Sequence, residues 1–231
     1  MIPATRVRLI VKVLIFGATG MVGQGVLREC LLSPDVELVA TVGRSASGLQ
    51  NPKLREIVHA DLADYSNIQA DLAGFDACFF CLGVSSAGMT ETDYDRITYG
   101  VTLAAAGTLS QVNPGMTFIY VSGAGTDSSE KGRSMWARVK GRTENALLRV
   151  PLRAYMFRPG LIQPLDGIRS KTRAYRILYG MSKPLLPLLH WALPDYVLST
   201  RDIGQAMLKV ATRGYDKSIL EARDIRAVLS R

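Results

Sequence analysis

Val13-Leu14-Ile15-Phe16-Gly17-Ala18-Thr19-Gly20-Met21-Val22-Gly23 is the stretch on which the reading of this chain turns. A buried-strand pattern ends at Gly17 and a helical pattern begins near Met21. Three glycines stand at G-x-x-G-x-x-G spacing, and each is expected to have a physical task. Gly17 allows a tight turn out of the strand, Gly20 lets backbone approach a pyrophosphate, and Gly23 lets the new helix pack closely on the sheet. The helix then offers free N–H groups and the positive end of its dipole to phosphates. Strand before, helix after and a second strand at residues 36–42 make this a dinucleotide-binding pattern.

Outward from this stretch, strand-like and helix-like segments alternate over two thirds of the chain. That is the mark of a parallel sheet covered on both faces. Strands are expected at residues 11–16, 36–42, 56–59, 77–81, 117–121 and 154–157. Helices are expected at 21–32, 90–112, 130–149 and 200–211, with a strand or turn and a short helix in the tail, 218–231. The spacing predicts an α/β, Rossmann-type doubly wound parallel sheet in a single domain spanning 1–231. After residue 160 proline becomes frequent and the pattern changes, so residues 161–200 are expected to form a small cap on the substrate side.

Size and charge narrow the field. The chain has 231 residues, 48% hydrophobic and 21% charged, ordinary values for a folded globular domain. Its net charge of +8 favours polyanions: a phosphorylated cofactor, an acidic substrate, a membrane surface or nucleic acid, beside the plainer reading of a basic surface. No nucleic-acid-binding module accompanies the charge, and nucleic acid is not expected as a partner. The first apolar run, residues 7–16, is interrupted by Arg8 and Lys12 and reads as a strand instead of a secretory signal. The apolar region 184–198 is cut by Pro187, Pro194 and Asp195, so no membrane-crossing helix is expected there. The three cysteines, Cys30, Cys78 and Cys81, are odd in number and sit in buried-looking segments, which argues for reduced thiols in the cytoplasm.

With the fifth strand ending in Val121-Ser122-Gly123, Lys140 eighteen residues beyond Ser122, and Arg158-Pro159-Gly160 after the sixth strand, the chain resembles the short-chain dehydrogenase/reductase superfamily. The likeness is to its atypical and extended branches, which include NAD-dependent epimerase/dehydratase-like, NAD(P)H-binding and Tat-interacting oxidoreductase-like proteins. It covers residues 10–165 by motif, and residues 200–210 resemble a late helix of that superfamily. The resemblance implies bound NAD(P) and a substrate cleft above the carboxyl ends of the strands. Besides Gly17, Thr19, Gly20, Met21, Val22 and Gly23, it implies that Asp61 and Leu62 meet the adenine and that Cys81, Leu82 and Gly83 line the cofactor. Pro159 and Gly160 would shape the nicotinamide pocket. A helix N-cap at Asp61 and an ordinary turn at Pro159-Gly160 are the plainer alternatives.

Cofactor choice is read at the end of the second strand. A carboxylate there would bind the ribose 2′-hydroxyl and repel a 2′-phosphate. This chain has Val42-Gly43-Arg44-Ser45, with no acid in that stretch, and Arg44 is suited to grip phosphate or stack on adenine. NADP(H) is expected ahead of NAD(H), a solvated surface arginine being the alternative.

The catalytic residues implied by the resemblance are incomplete. Reductases of the superfamily use a serine after the fifth strand and a tyrosine four residues before a lysine. Ser122 and Lys140 stand in those places, but the tyrosine position holds Trp136, whose indole N–H does not ionise usefully. A further expected asparagine is replaced by Thr98. Tyr94 and Tyr99 are candidate replacement acids. Two readings therefore stand: an oxidoreductase or epimerase/dehydratase-like enzyme acting on an unidentified small molecule, and a non-catalytic NADP(H)-binding regulator or redox sensor.

The remaining signals are weaker. Cys78 and Cys81 are three apart on a strand and point to opposite faces, and His59 and His190 lack ligand-spaced partners, so no metal is expected. Arg169, Lys171, Arg173, Arg176 and Lys183 lie among apolar residues ahead of a proline- and leucine-rich run. Residues 169–183 read as a lid over the cleft, a dimer surface, a membrane-surface contact or a packed helix with a charged face.

Overall fold

The computed structural model describes residues 10–168 and 196–230. Its centre is a seven-stranded, wholly parallel sheet. The strands are β1 (Val11–Phe16), β2 (Val36–Gly43), β3 (Leu54–Val58), β4 (Ala77–Phe80), β5 (Thr117–Val121), β6 (Arg153–Arg158) and β9 (Ile219–Glu221), in the order β3-β2-β1-β4-β5-β6-β9. Strands buried on both faces must be apolar, and β1 is so beyond Lys12 near its start: Val13 to Phe16 are fully buried. Alternate residues serve two cores. Val13 and Ile15 pack with α1 (Met21–Leu32) and α5 (Thr200–Arg213), whereas Leu14 and Phe16 pack with α3 (Val101–Val112) and the partners of α4 (Met135–Leu147) on the other face. The sheet is the expected Rossmann-type architecture.

Most elements lie where the pattern places them, and the departures have local causes. Helix α4 begins at Met135 instead of residue 130. Asp127 competes for the backbone ahead of it, its carboxylate accepting from the amides of Ser129 at 3.0 Å and Gly132 at 2.6 Å. The expected helix 90–112 is helical throughout but not uniform. A first α-turn, α2 (Glu91–Asp95), passes through a π-helical turn at Arg96–Gly100 into α3. Third-strand pairing starts at Leu54, two residues early, because β3 follows β2 in register from Val39↔Leu54.

Two short strands, β7 (Leu161–Gln163) and β8 (Val197–Ser199), form a separate parallel pair that no periodicity announced, since three residues carry no alternation. They are the described ends of the expected cap. Residues 169–195, with the expectations of a lid, a dimer surface or a membrane contact, lie outside the described residues. The short helix α6 (Ala222–Ser230) follows β9, as the tail pattern suggests.

Helix α5 starts with a capping box, Ser199 accepting from the Asp202 amide at 3.0 Å and Asp202 from the Ser199 amide at 2.8 Å. It crosses α1 at two glycines. A Cβ on Gly25 would lie 2.5 Å from the Thr200 side chain, and one on Gly204 would lie 2.9 Å from Glu29. That close crossing holds α5 on the nucleotide-binding half.

Candidate cofactor-binding site

Strand order reverses between β1 and β4, and the loops leaving the two strands diverge there, the position at which open α/β sheets bind ligands. Gly17 turns out of β1 with φ +76°, and a Cβ on it would stand 2.7 Å from the backbone of Leu82. Cys81, Leu82 and Gly83 are thereby brought directly beside the glycine loop. Gly23 differs from expectation in what it packs against. Its Cβ would lie 2.1 Å from the Gly17 carbonyl oxygen, so it is the loop's own backbone, not the sheet, that excludes a side chain. At Gly20 a Cβ would lie 3.3 Å from the Gly17 carbonyl oxygen, a tight contact to which the loop would have to yield slightly, though far milder than the clash at Gly23.

The start of α1 is open to an anion. Its N-cap, Gly20, supplies no side-chain acceptor, and the first turn carries no acid. The bond from Gln24 N to Gly20 O at 2.9 Å is the first of the helix, so the amides of Met21, Val22 and Gly23 have no helical carbonyl to serve. Gln24 also donates to the Thr19 carbonyl at 3.1 Å, fastening the loop.

Arg44 follows the last residue of β2, exposed and without an ion pair to the described residues. One acid lies nearer than the linear reading allowed: Glu56, on the paired strand β3, accepts from the Ser47 amide at 2.5 Å. Its carboxylate is committed to shaping the Arg44–Ser47 loop, so the absence of an acid holds for the β2 terminus but not for its surroundings. Asp61 is exposed and accepts from the Ala63 amide at 2.9 Å. The 3₁₀ helix begins only at Ser66, so Asp61 closes a turn and is not its cap. Leu62 is half-buried against the aromatic core that holds Tyr65.

The residues expected around the nicotinamide converge on the end of β5. The Lys140 ammonium donates to the Ser122 carbonyl oxygen and lies 5.8 Å from the centre of the Tyr120 ring. Burial lowers its pKa to about 8, against a partial offset from Glu144. The Ser122 hydroxyl does not face this group. It donates to Glu144 Oε1 at 2.5 Å and to the Phe157 carbonyl at 3.2 Å, inside the protein. The next residue, Gly123, has no side chain to offer in its stead. The Trp136 ring lies over the following loop, 3.6 Å from where a Gly125 Cβ would stand.

Neither candidate acid is free in the cleft. Tyr94 is 2% exposed and close enough to Tyr120 to affect its ionisation, while the Tyr99 ring lies 4.1 Å beneath the Arg142 guanidinium. Thr98, at the expected asparagine position, is buried in the π turn with its hydroxyl unpartnered among the described residues. Pro159 is buried, its carbonyl accepting from Ala124 N at 2.9 Å. Gly160 sits under Tyr196: a Cβ there would be 2.8 Å from the ring.

Sequence reasoning missed the charged pair behind this site. Glu144, fully buried, accepts from Arg158 Nε at 3.0 Å and from a second guanidinium nitrogen. Arg158 continues to Glu221 Oε1 at 3.1 Å and Ser128 Oγ at 2.5 Å. The available signal was the four-residue spacing from Lys140, which sets both side chains on one face of α4.

A profile described as NAD(P)H-binding matches residues 17–166, from the first glycine through the Pro159-Gly160 turn. The chain belongs to the NAD(P)H-binding family. Protein FMP52-2, mitochondrial, of Scheffersomyces stipitis is 30% identical over 175 residues, 73% of each chain. Protein FMP52-1, mitochondrial, of the same yeast is 24% identical over 88% of each. These names overturn the cytoplasmic expectation: reduced, buried cysteines do not discriminate between the cytoplasm and other reducing compartments. Among solved structures, the Bordetella bronchiseptica enzyme WbmF in complex with NAD+ superposes with a TM-score of 0.67 at 16% identity, over 95% of this chain and 77% of that one. The short-chain dehydrogenase/reductase YIR035C of Saccharomyces cerevisiae gives 0.65 at 15%, over 95% and 98%. The family bears out the NAD(P)H-binding part of the resemblance, and the superposed structures share the Rossmann-type fold that it implied.

Proposed function

We propose that this chain binds NADP(H) across the β1–β4 switch point and is an oxidoreductase or epimerase-like enzyme for a small molecule, working without a tyrosine acid. The observation that carries this reading is Lys140, whose ammonium is held at the end of β5 where the superfamily's lysine grips the nicotinamide-side ribose. When bound, the cofactor supplies a hydride donor or acceptor. The chain's part is to hold the pyrophosphate at the Gly17–Gly23 loop and the 2′-phosphate at Arg44. Asp61 and Leu62 border the adenine, Cys81 to Gly83 line the cofactor after β4, and Pro159 and Gly160 shape the nicotinamide pocket.

General acid catalysis typically contributes about 10²–10⁴-fold, so a site with Trp136 in place of the phenol turns over slowly. One observation favours the second reading, a non-catalytic NADP(H)-binding regulator: the Ser122 hydroxyl is directed to Glu144, which removes a second group of the reductase set from the cleft. NADPH oxidation against a panel of aldehydes, ketones and quinones separates the two. Slow turnover that rises in Trp136→Tyr supports the enzyme. NADPH binding without turnover in either protein supports the regulator.

A further inference from the structure

Ser122 is held from two sides by two residues of one helix. Lys140 donates to its carbonyl oxygen, and Glu144, one turn further along α4, accepts from its hydroxyl at 2.5 Å. Arg158 stands behind Glu144 and ties the same carboxylate to β9 through Glu221 and to the β5–α4 loop through Ser128. A buried ion pair is an expensive way to gain stability, since well-packed apolar residues often do as well or better. Its value here is geometric. The network joins β5, β6, β9, α4 and the loop at the one residue whose carbonyl directs the lysine.

We propose that Glu144 is a positioning residue for cofactor binding: with Arg158 it fixes Ser122, so that the carbonyl oxygen aims the Lys140 ammonium. This rests on the reading of Lys140 as a cofactor-holding group. Among the described residues, these groups stand near Lys140. Tyr120 lies on β5 at 5.8 Å, Tyr94 reaches toward Tyr120 from α2, and Glu144 shares the helix, with Arg158 opposing it from β6. Glu144 is the acid among them. Burial works against the ammonium and Glu144 works for it, so removal of the carboxylate lets deprotonation occur at lower pH.

The test is NADPH affinity from pH 6.5 to 9.5, by cofactor fluorescence, in wild type, Glu144→Gln, Lys140→Met and the double variant. Wild-type affinity is expected to fall as pH rises through about 8. In Glu144→Gln the midpoint moves down by about one pH unit, and affinity at pH 7.5 drops about threefold. Lys140→Met gives a flat profile to which Glu144→Gln adds nothing. An unmoved midpoint in Glu144→Gln overturns the proposal, as does an equal loss at every pH that persists beside Lys140→Met. If Glu144→Gln does not fold, Glu144→Gln with Arg158→Met removes both buried charges, and a downward midpoint shift, smaller because the opposing guanidinium is gone as well, is required of it. Wild type that fails to bind NADPH would overturn the cofactor reading itself, a result distinct from binding with an unmoved midpoint.

Discussion

At the scale of the residue, the cleft is defined as much by what side chains are committed to as by which residues are present. Ser122 and Lys140 are the residues expected to act, but the serine hydroxyl serves Glu144 and the lysine serves the serine's backbone. Arg44 is the opposite case, an exposed guanidinium with no ion pair to the described residues, directly after β2 where the proposal puts the 2′-phosphate. A guanidinium forms paired, charge-assisted bonds to phosphate, roughly twice as strong as neutral ones. Arg44→Asp is therefore expected to weaken NADPH binding at least tenfold, about 1.4 kcal/mol, while NADH affinity holds or improves. Paired calorimetric titrations with the two cofactors check this. Equal affinities in wild type, unchanged by the substitution, would remove Arg44 from the site.

At the scale of the element, the glycine loop is built against itself. The loop backbone is folded so tightly that Gly23 touches the Gly17 carbonyl, and any Cβ would stand 2.1 Å from that oxygen. The clash is with backbone at both ends and has no flexible side chain to absorb it. Gly23→Ala is expected to push α1 off the loop, costing 1–3 kcal/mol by overpacking and abolishing NADPH binding, as urea melts and cofactor fluorescence would show. A variant that bound NADPH normally would mean that the loop relaxes more easily than its packing indicates. The same element carries its own counterexample. Gly20→Ala meets a 3.3 Å contact with the Gly17 carbonyl oxygen, which asks the loop to give by a few tenths of an ångström, so its cost to stability is expected to be smaller than that of Gly23→Ala in the same urea melts.

At the scale of the whole molecule, the glycine loop, the β4 loop and the β5 terminus belong to separate parts of the chain and meet only because β1, β4 and β5 are neighbours in the sheet. A cofactor spanning them stabilises the native arrangement by mass action. At a hundredfold excess over its dissociation constant the gain is about 2.7 kcal/mol, which appears as a rise in Tm. NADPH is expected to raise Tm more than NADH at equal concentration, and thermal unfolding with each cofactor measures the difference. A Tm indifferent to both would contradict a site assembled across the sheet.

The parallel sheet and the nucleotide loop were legible because they follow from local rules: an apolar run long enough for a buried strand, a glycine where φ turns positive, and a helix that starts directly after. The strand order is set by which strands pair, and only the tertiary structure decided it. Strand β1 and helix α1 lie at the residues that those rules indicate. The three-residue strands β7 and β8 left no trace, because pairing and not periodicity makes them strands. The late start of α4 depended on the Asp127 carboxylate capturing amides a few residues on, a competition between two local hydrogen-bond schemes that composition does not settle. Most of all, nothing in Val121-Ser122-Gly123 tells which way the serine hydroxyl turns. That direction is set by Glu144 and Arg158, 22 and 36 residues further along the chain. A buried charge must find its partners wherever the fold puts them. The sequence states which residues carry the chemistry; the packed structure decides which of them the cleft can use.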